Sequence, residues 1–277
     1  MPESPEVEAL AEWLDARVTG SRVRAVDVIE FRTVKTRARP PASLLGARIT
    51  GVRRFGKHVD VALDAAHLVV SLGRHGWVRW SDTGTEPDDS AAAEAPALAT
   101  VIVDEGTIEL TDAGSWVSLG VWVVDDPHDV PGIAKLGPDP LDPGFARDDV
   151  VTAVAPRRKQ LKAILQEQES LAGIGNAYSD EILHRARLSP VVHGDTLTDD
   201  DLSRLYDAVR GVLTQAAGAR RGIPIDLLKQ AKTDAMAVHG RAGETCPVCG
   251  GVVRDLAFGG TTAQYCPMCQ TGGALLD

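Results

Sequence analysis

The order of apolar and polar positions divides the chain into a short helix, a β-rich segment and a helical segment. Residues 5–18 carry apolar side chains at helical spacing, at Val7, Leu10, Ala11 and Leu14. From about residue 22 to 124, short apolar runs are bounded by Gly, Asp and Pro, a pattern that predicts strands joined by hairpins. The predicted strands are 23–28, 59–63, 68–70, 100–103 and 107–110. A β-sandwich or a barrel is therefore expected.

A proline-rich segment separates the two halves of the chain. Residues 137–143 read Gly-Pro-Asp-Pro-Leu-Asp-Pro, which can continue neither a helix nor an inner strand, and they predict a linker. Beyond them, Thr198 followed by three aspartates is typical of a helix start. The predicted helices are 149–155, 161–168, 178–186 and 199–218. The fold class is therefore α+β with two domains.

All four cysteines lie near the C-terminus, in two Cys-x-x-Cys pairs separated by sixteen residues. Two such knuckles at this spacing present four thiolates tetrahedrally, as a structural zinc requires. A pair of disulfides is the alternative, but nothing in the sequence signals an oxidising compartment. We expect one structural zinc in a zinc ribbon, without an open coordination position for chemistry. Its predicted ligands are Cys246, Cys249, Cys266 and Cys269.

The net charge of −10 argues at first against a nucleic-acid partner. The charge is unevenly distributed, however: residues 1–150 carry 15 Lys and Arg against 25 Asp and Glu, whereas residues 151–277 carry 14 of each. Much of the excess acid falls in 82–94 and 125–142, which are predicted to be loops. Basic residues cluster at 32–39, 53–57 and 157–162. Because local potential decides whether phosphate can approach, DNA remains compatible as a partner.

The chain start, Met-Pro-Glu-Ser-Pro-Glu, has neither a basic segment nor an apolar run, so no signal peptide is expected. No apolar stretch reaches the length needed to span a membrane. A cytoplasmic protein is expected.

Three segments in order resemble the formamidopyrimidine-DNA glycosylase/endonuclease VIII family. They are PESPEVE at residues 2–8, LAGIGNAYSDE at 171–181 and VHGRAGETC at 238–246. The resemblance covers essentially the whole chain. It implies an N-terminal catalytic β-sandwich domain at 1–136, a linker at 137–148, a helix-two-turn-helix DNA-binding domain at 149–237 and a zinc-ribbon finger at 238–277. It also implies that the partner is damaged double-stranded DNA, bound between the two domains. The protein is expected to act as a monomer and to associate with the nucleoid.

By resemblance, the catalytic residues lie at the chain start. If Met1 is removed, Pro2 presents a secondary amine that can attack the sugar C1′ and form an iminium ion. Glu3 is then expected to move protons at the sugar, and Glu6 to orient the terminus. The alternative is that Pro2 and Glu3 merely cap the first helix, where proline and acid are favoured anyway.

Further residues are expected to bind DNA by resemblance. Gly175 and Asn176 belong to a glycine-rich turn whose backbone N–H groups and side-chain amide can approach phosphate, although such a turn also serves as a simple helix connection. Lys57 matches the family's hairpin lysine, which grips the phosphate backbone of the lesion strand. Lys57 is therefore expected to be both a DNA-binding and a catalytic residue. An exposed hairpin lysine alone carries little weight.

The chain departs from the family pattern where the lesion is read. Relatives carry an arginine five residues before the third zinc ligand, but here that position is Thr261. Where relatives carry a methionine wedge, this chain reads Ser-Leu-Gly-Arg-His-Gly at residues 71–76, and Arg74 is the residue that could invade the base stack by cation–π contact instead. The second wedge corresponds roughly to residues 112–116, with Trp116 as the candidate intercalator. Residues 223–237 look short for a loop that caps 8-oxoguanine.

Taken together, the sequence predicts a base-excision-repair DNA glycosylase with abasic-site lyase activity. The first alternative is a DNA-binding relative that only recognises or cleaves abasic sites; Thr261 favours it, and the retained Pro2, Glu3, Lys57 and Asn176 disfavour it. The second alternative, a zinc-ribbon interaction scaffold, is disfavoured by the ordered motifs.

Overall fold

The computed structural model describes residues 1–83 and 95–276, with the side chain of Thr261 excepted. The chain forms two compact units. The first comprises Met1–Pro2, Glu6–Ala134 and Arg221–Leu228; the second comprises Glu3–Pro5, Lys135–Arg220 and Lys229–Asp277.

The first unit is an antiparallel β-sandwich preceded by helix α1 (Ser4–Val18), with a one-turn helix α2 (Pro131–Ala134) near its end. One four-stranded sheet has the order β1-β6-β7-β5 and the other β2-β3-β4-β8. A sandwich rather than a barrel is therefore formed. The strands are β1 (Val23–Val28), β2 (Ile49–Phe55), β3 (His58–Leu63), β4 (His67–Ser71), β5 (Gly76–Asp82), β6 (Ala97–Val103), β7 (Gly106–Asp112) and β8 (Gly120–Val124).

The five predicted strands correspond to β1, β3, β4, β6 and β7, whereas β2, β5 and β8 were not predicted. In β2 the pairing shifts between Ile49 and Gly51, so the side chains of this strand do not keep a simple two-residue alternation. The predicted loop at 82–94 begins at the last residue of β5, and its residues 84–94 lie outside the described residues. The predicted loop at 125–142 contains α2.

One apolar core joins α1 to both sheets of the sandwich. The predicted helical stripe is confirmed, since Val7, Leu10 and Leu14 are at most 1% exposed. The segment Arg221–Leu228 belongs to this unit because Ile225 packs into the same core. The indole Nε1 of Trp77 also donates to the Ile225 carbonyl at 2.9 Å.

The second unit is helical and ends in a small two-stranded ribbon. Its helices α3 to α6 correspond to the four predicted helices. Helix α7 was not predicted, and its presence corrects the view of 223–237 as a loop. The elements are α3 (Arg147–Val154), α4 (Leu161–Gln166), α5 (Asn176–Ala186), α6 (Asp199–Arg220), α7 (Leu228–Ala235), β9 (Arg254–Phe258), β10 (Thr261–Tyr265) and α8 (Pro267–Gln270).

Helix α5 lies in the core of the second unit, with Tyr178, Ile182 and Leu183 at most 1% exposed. The predicted linker at 137–143 contains neither helix nor strand, but it is not a free tether. The Gly137 amide donates to the Gln168 carbonyl at 2.9 Å. A Cβ at position 137 would lie 2.4 Å from the Glu169 carbonyl oxygen, so only glycine fits this close approach.

Among the described residues, no helix combines the length and apolar character that crossing a bilayer requires.

Candidate active site and metal centre

The carboxylate of Glu3 is buried at the N-terminus of helix α5. Its side chain is 1% exposed and accepts hydrogen bonds from the backbone N–H groups of Gly175, Ala177 (3.1 Å) and Tyr178 (3.4 Å). These donors are the otherwise unsatisfied amides of the first helical turn, where the helix dipole favours negative charge. The sequence predicted a catalytic Glu3; the structure places it within the second unit as a helix-capping carboxylate.

The glycine-rich turn before α5 is shaped to receive the chain start. The Ser4 amide donates to the Gly173 carbonyl at 3.0 Å. Gly173 has a φ of +83°, and a Cβ there would lie 1.4 Å from the Ser4 hydroxyl oxygen. Both the backbone conformation and the lack of space therefore require glycine at this position.

A lysine that the sequence did not single out completes the surroundings of Glu3. Lys232 of α7 lies with its Nζ 3.0 Å from Glu3 Oε1, and its side chain is only 12% exposed. The same ammonium lies 4.8 Å from the centroid of the Tyr178 ring. The hydrogen bonds and the ammonium all favour the ionised form of Glu3. No local sequence signal could have found Lys232, because the contact joins residues 229 positions apart.

A second buried charged network lies on α5. Lys162 and Asp180 are 0% and 1% exposed and 2.5 Å apart, and His239 Nδ1 donates to the other Asp180 oxygen at 2.7 Å. The Lys162 ammonium also donates to the Ser179 hydroxyl at 2.9 Å. Burial lowers the pKa of Lys162, and the Asp180 carboxylate opposes that shift. This pair fixes α4 and the ribbon entry to α5.

The carboxylate of Glu181 holds the segment that leads into the ribbon. It accepts hydrogen bonds at 2.9 Å from the backbone N–H groups of Ala237, Val238 and His239. The motif at 238–246 is thereby attached to the motif at 171–181. The sequence identified both motifs but not their contact.

Two predicted phosphate-binding groups have protein partners in this structure. The Gly175 amide donates to Glu3, and Asn176 Nδ2 donates to the Thr262 carbonyl at 3.2 Å. The Asn176 carbonyl oxygen of the same side chain accepts from Gln166 at 3.0 Å. Their contact with phosphate stays a prediction.

Three predicted catalytic residues belong to the first unit. Pro2 and Glu6 are both buried. Lys57 lies in the two-residue turn between β2 and β3, where Phe55 pairs with His58. Gly56, with a φ of +55°, occupies the first turn position, as a type II′ hairpin favours. The turn therefore presents Lys57 at the end of a hairpin, as the sequence predicted.

The two candidate wedge residues lie on neighbouring loops of the first unit. Arg74 and Trp116 are exposed, Trp116 by 84%. The Arg74 amide donates to the Ser118 hydroxyl at 2.9 Å, which ties the two loops together. Asp112 braces the second loop by accepting from the Ser118 amide at 2.8 Å and the Gly114 amide at 2.9 Å. Burial alone would raise the pKa of Asp112, but these hydrogen bonds outweigh it and the pKa is lowered.

The four cysteines form one metal-binding cluster. Their sulfur atoms all lie within 4.8 Å of one another, with Cys246–Cys269 at 3.9 Å and Cys249–Cys266 at 3.4 Å. Zinc–sulfur bonds of about 2.3 Å in a tetrahedron place the sulfurs about 3.8 Å apart. All four cysteines are free and their sulfurs converge on one point, which favours the zinc site over a pair of disulfides.

The pKa shifts of the cysteine thiols are also consistent with a bound cation. Burial raises the pKa of the Cys266 and Cys269 thiols, so ionising them requires a compensating positive charge. The Gly251 amide leads the contacts that lower the pKa of Cys249 to about 7. The ribbon binds one structural zinc through these four sulfurs. Thr261 begins β10, but its side chain lies outside the described residues.

Family models match three consecutive parts of the chain. They are the formamidopyrimidine-DNA glycosylase N-terminal domain at residues 1–113, the H2TH domain of the same proteins at 136–224 and the zinc finger found in FPG and IleRS at 243–272. The two-domain fold with a β-sandwich, an H2TH domain and a zinc finger is the one these models describe.

Individual relatives extend over nearly the whole chain. The formamidopyrimidine-DNA glycosylase of Mycolicibacterium smegmatis is 36% identical, covering 98% of this chain and 97% of the relative. MutM (Fpg) from Thermus thermophilus is 31% identical with a TM-score of 0.81, covering 97% and 98% of the two chains. A Lactococcus lactis Fpg bound to DNA containing an AP site shares the fold, with a TM-score of 0.84, 23% identity and coverage of 97% and 99%. The chain belongs to the formamidopyrimidine-DNA glycosylase family.

Proposed function

We propose that this chain is a base-excision-repair DNA glycosylase with abasic-site lyase activity, acting as a monomer on damaged double-stranded DNA. Family membership supports the reaction class, and the Lactococcus lactis relative was solved with abasic-site DNA. The observation that carries the proposal is the buried carboxylate of Glu3, which directly follows Pro2 in the chain and is fixed by the α5 N-terminus and Lys232.

The reaction begins with the amine of Pro2 once Met1 has been removed. Terminal amines titrate near pH ~8, so a substantial fraction is neutral at physiological pH. The nitrogen lone pair forms a bond to C1′ while the glycosidic bond breaks, and the departing base takes up a proton. The proline nitrogen then loses its proton, and the ring oxygen O4′ takes up a proton as the C1′–O4′ bond breaks. The product is a cationic iminium, because a secondary amine has no second proton to lose.

The iminium accepts electrons during strand cleavage. A general base removes the proton from C2′, and the electron pair moves towards the iminium. The bond between C3′ and its phosphate oxygen then breaks. Water finally adds to the iminium and releases Pro2. The electrons and protons therefore balance without a redox partner.

Glu3 enters this sequence as a carboxylate. Its anionic charge stabilises positive charge that develops on the sugar and the proline nitrogen. Its donors include three backbone amides at the helix N-terminus and the side chain of Lys232. Glu6 orients the terminus.

The remaining proposed residues bind DNA. Lys57 grips the lesion-strand phosphates from its hairpin turn. Gly175 and Asn176 belong to the glycine-rich turn that contacts phosphate, and the Asn176 amide does so after exchanging the Thr262 carbonyl. Arg74 and Trp116 fill the gap left by the flipped nucleotide, since both are exposed on loops held together by Ser118. Thr261 donates at most one neutral hydrogen bond to phosphate.

The alternative is a relative that cleaves abasic sites without excising bases. Thr261 favours it, because a threonine lacks the charge of the arginine that relatives place there. Duplexes carrying an oxidised base and duplexes carrying an abasic site separate the two functions.

The test is covalent trapping by borohydride on both duplexes, with intact-mass analysis to establish that Met1 is absent. The proposal predicts trapping on both substrates by the wild type and its loss in Glu3→Gln. Glu12→Gln is the matched control, since Glu12 lies on helix α1, which directly follows Glu3, but pairs with Arg221 on the surface. Trapping on abasic DNA alone would support the alternative, and no trapping by processed, DNA-bound protein would overturn both.

A further inference from the structure

Helix α5 makes a direct contact with the zinc cluster through a histidine that does not bind zinc. His184 lies in the last turns of α5 and is 6% exposed. Its Nε2 lies 3.3 Å from the sulfur of Cys246, which is 1% exposed. Both residues belong to the second unit. Neither the motif at 171–181 nor the cysteine spacing indicates this contact.

The direction of the hydrogen bond follows from the chemistry of the metal site. A zinc-bound cysteine is a thiolate and carries no proton. The hydrogen between the two atoms must therefore be on Nε2, so the imidazole donates and the sulfur accepts. We propose that His184 is the positioning residue of the zinc site: it donates to the Cys246 thiolate and fastens the ribbon to α5.

The donor also stabilises the bound metal. Four thiolates around one zinc ion leave a net negative cluster, and each N–H group that points at a sulfur offsets part of that charge. The Gly251 amide does so for Cys249 at 3.4 Å. His184 does the same for Cys246 from outside the ribbon, which makes zinc affinity depend on a residue of the helical core.

The other contacts of α5 explain why this attachment has consequences beyond the metal. Near its beginning, Asn176 donates to the Thr262 carbonyl in β10, and in its middle Glu181 accepts the amides of the ribbon entry. His184 adds a further attachment, near the helix end. The ribbon is thus held along the helix whose first turn binds Glu3.

The competing explanation is that the imidazole only fills space. Two substitutions separate a hydrogen-bond donor from an aromatic filler. His184→Phe keeps a planar ring of similar size but removes the donor. His184→Gln loses the ring but retains an amide N–H at about the reach of Nε2. Arg185→Gln is the control, because Arg185 is the next residue and contacts Gln215 of α6 at 3.2 Å.

The experiment uses the full chain loaded with zinc, and in parallel with cobalt(II). Zinc affinity is measured by competition with a chromophoric chelator, and the thiolate-to-cobalt charge-transfer band reports the sulfur environment directly. His184→Phe should bind zinc about 10- to 100-fold more weakly and shift the band. His184→Gln and Arg185→Gln should both stay near the wild type.

Two results would overturn the proposal. One is a folded His184→Phe protein with wild-type zinc affinity and an unchanged band. The other is a folded His184→Gln protein that loses affinity and shifts the band as much as His184→Phe. If His184→Phe does not fold, His184→Gln decides alone, since retention of both readouts supports the donor and loss of both contradicts it.

Discussion

Glu3 and Trp116 are at opposite extremes of exposure, 1% and 84% respectively. Glu3 is fixed by three backbone amides and a lysine in the helical unit, whereas Trp116 projects from a loop of the β unit. The carboxylate proposed for chemistry is already fixed by protein contacts in the absence of DNA. The side chains proposed to read the lesion are exposed to solvent. Preorganisation matters most where charge develops, while lesion reading requires exposed side chains that can enter a duplex.

The loop that carries Trp116 is nevertheless ordered at its base. Asp112 accepts from Ser118 and Gly114, and Ser118 in turn accepts from the Arg74 amide. Folding therefore fixes where the two wedge residues emerge but leaves their side chains accessible. Substitutions in the two regions should have different signatures: loss of stability or rate in the first, and loss of affinity alone in the second.

The largest effect should follow from removing the metal. Structural zinc contributes roughly 10–16 kcal/mol of apparent binding free energy in zinc-finger peptides, so Cys266→Ser should unfold the ribbon. Hydrogen exchange should show lost protection at 243–272 and retained protection in the β-sandwich. Zinc-free protein with a protected ribbon would contradict the assignment.

Glu3→Gln should have the next largest effect. General acid–base and charge contributions at such sites amount to roughly 10²–10⁴-fold, so the single-turnover rate on abasic DNA should fall by about that factor. Affinity for the same duplex should change little, because Glu3 is buried. An equal loss of affinity and rate would place Glu3 in binding rather than in chemistry.

Lys232→Met tests whether the hydrogen bond from Lys232 to Glu3 matters. A hydrogen bond to a charged group is worth about 1.5–3 kcal/mol, which corresponds to a rate loss of about 10- to 100-fold. Lys232→Arg keeps the positive charge and should recover most of the rate. The rate of strand cleavage, measured by stopped flow, distinguishes the two variants. Equal rate losses in Lys232→Met and Lys232→Arg would show that the positive charge is not what supports the rate.

Trp116→Ala should weaken binding without affecting folding. Stacking of an aromatic side chain on a base contributes about 1–3 kcal/mol, whereas an exposed side chain contributes little to stability. Phe31→Ala is the matched control, since Phe31 is 78% exposed elsewhere on the same unit. Titration with abasic duplex should separate them, and equal affinities for the two variants would remove Trp116 from the interface.

The smallest effect concerns the pH dependence of stability. Arg157, assisted by Lys159, lowers the pKa of Glu167 from 4.5 to about 2. The ionised pair therefore stabilises the fold above pH 4.5, and this contribution is lost as the pH falls towards 2. Because the Glu167 side chain is 30% exposed and both of its basic partners are more exposed, solvent screens the pair and the contribution is at most about 1 kcal/mol. Urea unfolding of the wild type and Glu167→Gln should differ at pH ~7 and converge in acid.

Local pattern was sufficient for much of the fold. Helix α1 and helices α3 to α6 follow from apolar spacing and capping residues, and five strands follow from apolar runs. Strand β2 was not predicted because the pairing shift near Gly51 breaks the two-residue alternation of its side chains. Helix α7 was not predicted because it has no apolar stripe: only its first residue, Leu228, is buried.

The site was predicted only in part, for a physical reason. Motifs identified Glu3 and the cysteines, but the partners of Glu3 lie 172 or more positions away. Lys232 and His184 gain their importance from tertiary contacts alone. The roles of Pro2 and Lys57 and the domain boundaries at 136, 148 and 237 stay predictions.

The central claim is that Pro2 is the nucleophile and Glu3 its fixed carboxylate partner. The most direct measurement is to trap the processed protein on abasic DNA with borohydride, digest the adduct and locate the sugar remnant by mass spectrometry. The account predicts the remnant on Pro2. Lys232 is the informative competitor, because its primary amine lies 3.0 Å from Glu3 and could also form a Schiff base. A remnant on Lys232 or Lys57, with Pro2 unmodified, would contradict the account.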